Sequence, residues 1–354
     1  MNRLSHIRNH RLLSRASVFG SFLLVCFFAF SLSSIITQSA FGNAAGKKFK
    51  PIMLYVTGAQ ESDRDFIEMA RKGAEKARKE LKIEVTEQKL AENVDPTEFI
   101  KKVADDGYSP IIAVGYQNVV PVLNLAQKYP DTLFTVIDGL VPPVYPNVQS
   151  IVFKDHEGSF LVGMIAAYTS TNNHIGFIGG MDVPIIRNFG LGYTQGAKFV
   201  RPNIQIDVDY VGTTPAAWGQ PDIAQQLAIK QYDKGCDVIF AAAGGSSIGV
   251  LRAANDKKKL AIGVDTNQNG VFPGRVLTSM IKRVDVAVFD TLKTSKEKRW
   301  SAGIKSLGLK ESALDFSVDD NNKHLVTDQI VQQVLTTRER IINGLIDVEM
   351  YSPN

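Results

Sequence analysis

The chain has 354 residues, with 40 Lys and Arg against 36 Asp and Glu and a formal charge of +4. All the excess cations, Arg3, Arg8, Arg11 and Arg15, precede the first acid, so the chain beyond them is formally neutral and lacks the basic face that a nucleic-acid binder needs. Short basic runs such as Lys257, Lys258 and Lys259 read as a solvated helix end.

The amino-terminal stretch has the three parts of an export signal: "MNRLSHIRNHRLLSR" without an acid, the apolar "FLLVCFFAF" at 22–30, and the small residues "SAFGNAAG". Cleavage after Gly42, with Ala40 before it, makes 1–42 a signal peptide and sends the remainder to the periplasm or cell envelope. Cys26 sits in a poor lipidation context, between Val25 and Phe27. The apolar run from Val18 to Ile36 is also long enough to anchor the chain if it is never cut. Beyond the leader only Cys236 remains, which rules out an intramolecular disulfide and reads as a small buried residue before a strand. The remaining histidines, His156, His174 and His324, are widely spaced and have no acid or cysteine at ligand spacing, which argues against a zinc site. No metal and no cofactor is expected.

From Phe49 onward short β-rich runs alternate with helical patterns, as in parallel α/β units. "IMLYVTG" (52–58) leads to a helix opened by Ser62 and Asp63, then "KIEVTEQK", the helix "PTEFIKKVADDG", the strand "PIIAVG", the helix "VVPVLNLAQKYP" and the strand "LFTVIDG". The same order begins again with "HIGFIGG" (174–180) and runs through "IIRNFGLGYTQGAKFV", "IQIDVDYVG", "PDIAQQLAIKQYDKG", "DVIFAAAGG" and "SIGVLRAANDKKK" to "LAIGVDT". Gly58 matches Gly180, Gly73 Gly196, Gly107 Gly235, Gly115 Gly244 and Asp138 Asp265, at nearly constant spacing. The pattern predicts an α/β chain of two doubly wound parallel-sheet lobes joined by a hinge. Lobe 1 is expected at 48–152 with a return segment at 275–300, and lobe 2 at 153–274 with the carboxyl-terminal segment 301–354.

Ligands of open parallel sheets lie beyond the carboxyl ends of the strands, where Asp138, Asp265, Gly115 and Gly244 fall. A strand-end aspartate can simply cap the next turn. Its appearance in both repeats favours a shared cleft, where ionised carboxylates would accept from hydroxyl, ring N–H or ammonium groups and repel anions. Lys282, at the end of "VLTSMIK", is either an exposed strand-end lysine or a donor to the same ligand. Trp218, in the loop "TTPAAWGQPD", is placed to stack on a flat ligand. The run "AAAGGSSIG" (241–249) matches no phosphate-binding fingerprint, and Gly244 and Gly245 allow either close approach to a ligand or a tight turn. There is no nucleophile elbow and no His paired with a nucleophile, so the residues do not call for an enzyme.

Four segments carry a resemblance: "FKDHEGSFLVGMIAA" (153–167), "IGFIGGMDVPIIRNFGLGYTQGAK" (175–198), "KGCDVIFAAAGGSSIGV" (234–250) and "IGVDTNQNGVFPGRVLTSMIKRVDVAV" (262–288). Together they resemble the basic membrane protein family of solute-binding proteins, whose best understood members are purine nucleoside receptors of ABC transporters. The resemblance implies a type I periplasmic binding fold, a monomer that delivers a nucleoside to a membrane permease, and ligand contacts from Asp138, Asp265, Lys282, Gly244, Gly245, Phe66, Trp218 and Asp63. "DRDFIEMARKG" departs from the family's Asp-x-Ser-Phe-Asn stretch, with Asp65 for the serine and Ile67 for the asparagine, which removes an amide that reads a base edge. A receptor for another small polar ligand or for a signalling system is the alternative on the same fold. A nucleoside hydrolase is the alternative of a different class.

Overall fold

The computed structural model of the chain describes residues 48–55, 64–90 and 94–352. The expected leader, Gly58 and Asp63 lie outside the described residues. The strands are β1 (Ile52–Tyr55), β2 (Thr86–Lys89), β3 (Ile111–Val114), β4 (Phe134–Ile137), β5 (Val148–Phe153), β6 (His174–Met181), β7 (Gln205–Gly212), β8 (Val238–Ala242), β9 (Leu260–Asp265), β10 (Val276–Lys282), β11 (Gly303–Leu307) and β12 (Leu314–Phe316). The α-helices are α1 (Arg64–Leu81), α2 (Pro96–Asp105), α3 (Val119–Ala126), α4 (Asp155–Thr169), α5 (Pro184–Val200), α6 (Pro221–Asp233), α7 (Ser247–Lys257), α8 (Val284–Lys296) and α9 (Asp328–Ile342).

The described strands form two six-stranded sheets, ordered β11-β5-β4-β3-β1-β2 and β12-β10-β9-β8-β6-β7. Within each, the first five strands of a repeat take the order 2-1-3-4-5, and every pairing is parallel except β10 with β12. Helices cover both faces of such a sheet, so its central strands are apolar on both sides. The sequences IIAV of β3, FTVI of β4 and VIFAA of β8 are buried along their whole length. Local signals set the helix starts: the Asp95 carboxylate accepts from the Thr97 and Glu98 amides, and Pro96 occupies the first helical position of α2.

Sheet membership corrects the expected lobe boundaries. The segment 275–300 was expected to return to lobe 1, but β10 pairs with β9 from Val276↔Ala261 to Ile281↔Asp265, as the fifth strand of the second repeat. The return begins after Lys282 with α8, which packs on α1, and continues with β11, which pairs with β5. Residues 303–307 therefore belong to the first sheet, not to the second lobe. The chain crosses between sheets after Phe153, after Lys282 and after Leu307, where crossings near 152, 274 and 301 were expected. Helical periodicity marks the elements but carries no information about which sheet a fifth strand joins.

The second lobe is locked by helices α4 and α5 in direct backbone contact. A methyl group on Gly163 would overlap the Tyr193 carbonyl, one on Gly192 the backbone of His156, and one on Gly196 the carbonyl of Phe160. Because backbone cannot yield as a side chain can, Gly196→Ala is expected to cost about 1–3 kcal/mol of stability. Urea titration would register this as a lower midpoint at unchanged slope.

Candidate functional site

The carboxyl ends of both sheets face a common cavity of about 290 Å³. The first sheet and its helices line it with Phe66, Ile67, Gly115, Tyr116, Gln117 and Asp138, and the second with Phe189, Trp218, Gly244, Val264, Asp265 and Lys282. Six of the sequence-predicted residues thus meet here: Asp138, Asp265, Lys282, Trp218, Phe66 and Gly244. Gly245 follows Gly244 in the same 3₁₀ turn but is not among the lining residues.

Asp138 and Asp265 follow or end β4 and β9, and both adopt the left-handed backbone region, with φ of 62° and 68°. Aspartate tolerates that conformation better than most residues, and it turns each carboxylate back over the end of its sheet. Lys282 leaves the end of β10 and is 1% exposed. Its ammonium donates to Asp138 Oδ2 at 2.8 Å, an ion pair that joins the two lobes, and lies 3.1 Å from Asp155 Oδ1. It also sits over three rings, 4.8 Å from Phe153, 5.3 Å from Phe189 and 5.8 Å from Phe66. Burial by itself disfavours the ammonium form, but the carboxylates of Asp138, Asp155 and Asp265 outweigh it and raise the Lys282 pKa, so the cation is permanent.

Asp155, at the start of α4, is fully buried, and neither of its oxygens makes a hydrogen bond among the described residues. The Lys282 ammonium is within ion-pair range of Asp155, but in-line donation goes to Asp138. Burial, opposed by Lys282 and reinforced by the nearby Asp138 and Asp265 charges, leaves the Asp155 carboxyl pushed up to about 8. Near neutral pH Asp155 therefore holds a proton, and Lys282 faces the Asp138 and Asp265 carboxyl groups that line the cavity.

Trp218 is held in place from below and behind. Ser246 accepts from the Gln220 amide at 2.7 Å and donates to the Ala217 carbonyl at 2.7 Å, which fastens the turn that carries the indole. Gly180 makes room for the ring, since a methyl group there would overlap it. Across the cleft, Tyr116 meets Trp218 edge-on at 6.3 Å and donates its hydroxyl to Met181 Sδ at 3.4 Å. A further contact between lobes runs from Gln268 Nε2 to Asp65 Oδ2 at 2.6 Å. Asp65, one of the two departures noted in the sequence, thus serves as an acceptor for the opposite lobe. Ile67, the other, lies in the cavity wall.

Sequence reasoning missed Tyr116, Gln117, Ser246 and Asp155. Tyr116 was open to discovery: it follows strand-end Gly115 just as Gly245 follows Gly244. Asp155 had no distinguishing signal, because an acid in the first turn of a helix is ordinary.

Asp155 gives the site a pH signature. A carboxyl whose folded pKa lies above its unfolded value binds more protons in the folded state, so stability falls as pH rises from about 4 through the folded value. Asp155→Asn imitates the protonated form and escapes this loss. Its stability relative to the parent is expected to grow with pH between about 4 and 8, by at most about 1.4 kcal/mol per pH unit. Paired urea titrations across that range measure the difference, and a constant offset would show that Asp155 is ionised throughout.

Comparison with known proteins places this architecture in a family. Residues 49–351 match the model described as ABC transporter substrate-binding protein PnrA-like. The chain is 31% identical over 326 residues to an uncharacterized lipoprotein of Pyrococcus horikoshii, covering 85% of this chain and 80% of the relative. It is 31% identical over 308 residues to basic membrane protein D of Borreliella burgdorferi, covering 84% of this chain and 87% of that protein. Among solved structures, an ABC transporter solute-binding protein from Aeropyrum pernix shares the fold, with a TM-score of 0.76 at 24% identity over 86% of this chain and 94% of that one. The chain belongs to the PnrA-like family of ABC transporter substrate-binding proteins.

Proposed function

We propose that this protein captures a nucleoside, most suitably a purine nucleoside, between its lobes and presents it as a monomer to the permease of an ABC uptake transporter. The observation that carries this reading is the division of the cavity into two chemistries. Phe66, Phe189, Tyr116 and Trp218 supply flat apolar surface for a base, while Asp138, Asp265 and Lys282 supply acceptors and a donor for a hydroxylated sugar. Asp138 Oδ2 is occupied by Lys282, and its Oδ1 makes no hydrogen bond among the described residues, which leaves an acceptor for a ligand hydroxyl.

The charge balance supports a neutral ligand. With Asp155 protonated, one ammonium faces two carboxylates, so a phosphorylated nucleoside would bring more negative charge into a site that already has an excess. Ile67 in the wall supports a looser reading of the base edge than a polar side chain there would give. No helix among the described residues is long and apolar enough to cross a membrane. The expected export signal, and the lipoprotein name of the relative in Pyrococcus horikoshii, support delivery to the cell envelope. The role proposed is binding without chemistry: the ligand should leave unchanged.

A thermal-shift and calorimetry panel tests the reading. Adenosine, guanosine or inosine is expected to raise the melting temperature, while the corresponding monophosphates do not. Chromatography of the recovered ligand should find no free base. Asp265→Ala is expected to weaken binding about tenfold or more, the loss of one hydrogen bond to a charged group, with the fold retained. If simple sugars or amino acids stabilise the protein and nucleosides do not, the nucleoside assignment fails and a different solute receptor takes its place. Base release would instead make the protein a hydrolase.

A further inference from the structure

A second cluster lies at the opposite end of the second sheet from the ligand cleft. His174 opens β6, Asp207 is the third residue of the neighbouring β7, and Cys236 leads into β8 on the other side of β6. The sequence separates them, and their spacing argued against a metal site. The sheet brings the His174 ring nitrogen, an Asp207 oxygen and the Cys236 sulfur within 4.8 Å of one another. His174 Nε2 is already 3.1 Å from Asp207 Oδ1, a separation that suits a shared proton and equally two ligands of one cation.

We propose that His174, Asp207 and Cys236 form a binding site for a divalent cation of the zinc type, which pins the edge strand β7 to the centre of its sheet. The donor set is one imidazole nitrogen, one carboxylate oxygen and one sulfur, a mixture that selects borderline-soft cations over calcium or magnesium. Tetrahedral coordination with ligand bonds of about 2.0–2.3 Å requires the three donors to approach one another to about 3.5 Å, a movement within the reach of side-chain rotation. The backbone framework is fixed: the Asp237 amide donates to the His174 carbonyl at 3.1 Å, and the Cys236 amide to the Gln231 carbonyl at 3.1 Å. With three protein ligands the fourth position falls to water, and the cluster has an exit to solvent through the half-exposed Lys234.

Two features oppose the cation and define how it must enter. The Lys234 ammonium lies 3.1 Å from Asp207 Oδ2, so it has to swing out as the metal arrives. Cys236 is buried, and its sulfur must release a proton to become a ligand. The first opposition gives the proposal a signature that a purely structural His–Asp–Lys network lacks: removing Lys234 should help metal binding while removing a salt bridge.

The test uses tag-free protein, treated with chelator and then titrated with cobalt(II) and zinc(II). The expected result is one cobalt per chain with a near-ultraviolet thiolate-to-cobalt band and tetrahedral visible bands, displaced by zinc, together with a higher melting temperature in zinc. Cys236→Ser should abolish the thiolate band, and His174→Gln should weaken binding about tenfold or more. Lys234→Ala should bind at least as tightly as the parent. Far-ultraviolet circular dichroism checks each fold, and if Cys236→Ser does not fold, His174→Gln and Lys234→Ala carry the test. Absence of the thiolate band in the parent, its persistence in Cys236→Ser, or weaker binding by Lys234→Ala would each overturn the site. Nucleoside binding is measured separately with and without zinc, so failure of one proposal leaves the other standing.

Discussion

A buried ammonium group is costly unless opposite charges surround it, and the arrangement of this protein's two lobes answers that requirement at Lys282. The lysine comes from the second sheet. Its hydrogen-bonded partner, Asp138, comes from the first. Phe153, whose ring lies beneath the ammonium, ends the strand of the first repeat that corresponds to the strand ended by Lys282 in the second. The two fifth strands therefore deliver a cation and a ring to the same point, and the fourth strands deliver a carboxylate each. A twofold repeat of the fold becomes a site in which the acids repeat and the contributions of the fifth strands do not.

This also explains why the two cavity-facing acids and the fully buried Asp155 differ. All three lie near one cation, and a single positive charge cannot compensate three negative ones in a dry environment. The least solvated carboxyl keeps its proton. Asp138 and Asp265 stand at the cavity surface, where their oxygens can accept from a ligand. Asp155 thereby sits beside the ammonium without adding to the net charge that a ligand meets.

Much of the cleft was legible in the sequence because the repeat fixes what lies at the end of each strand. Asp138, Asp265 and Gly244 stand at such ends, and Lys282 closes an apolar run whose end can only be a strand terminus. What stayed hidden depends on relations between elements. The membership of β10 in the second sheet is decided by its pairing with β9, which periodicity does not report. Ser246 acts through hydrogen bonds to the backbone of a distant turn. His174, Asp207 and Cys236 adjoin one another only because β7, β6 and β8 are neighbours in a sheet. Spacing along the chain reports side chains that meet within one turn or helix, and it does not report those brought together across parallel strands.

The exchange of final strands has a consequence for how the chain is assembled in time. The first repeat has its own five strands once Phe153 has been made, yet β11, which covers the edge of β5, arrives only after the whole second repeat. Until α8 emerges α1 lacks the helix that packs on it, and until residues 303–307 follow, β5 presents a row of unpaired backbone groups. The half of the protein that is synthesised first thus waits for the whole second repeat before its edge is covered. Its folding rate is tied to contacts of long sequence separation, and the waiting edge is the place where a premature or foreign strand would add.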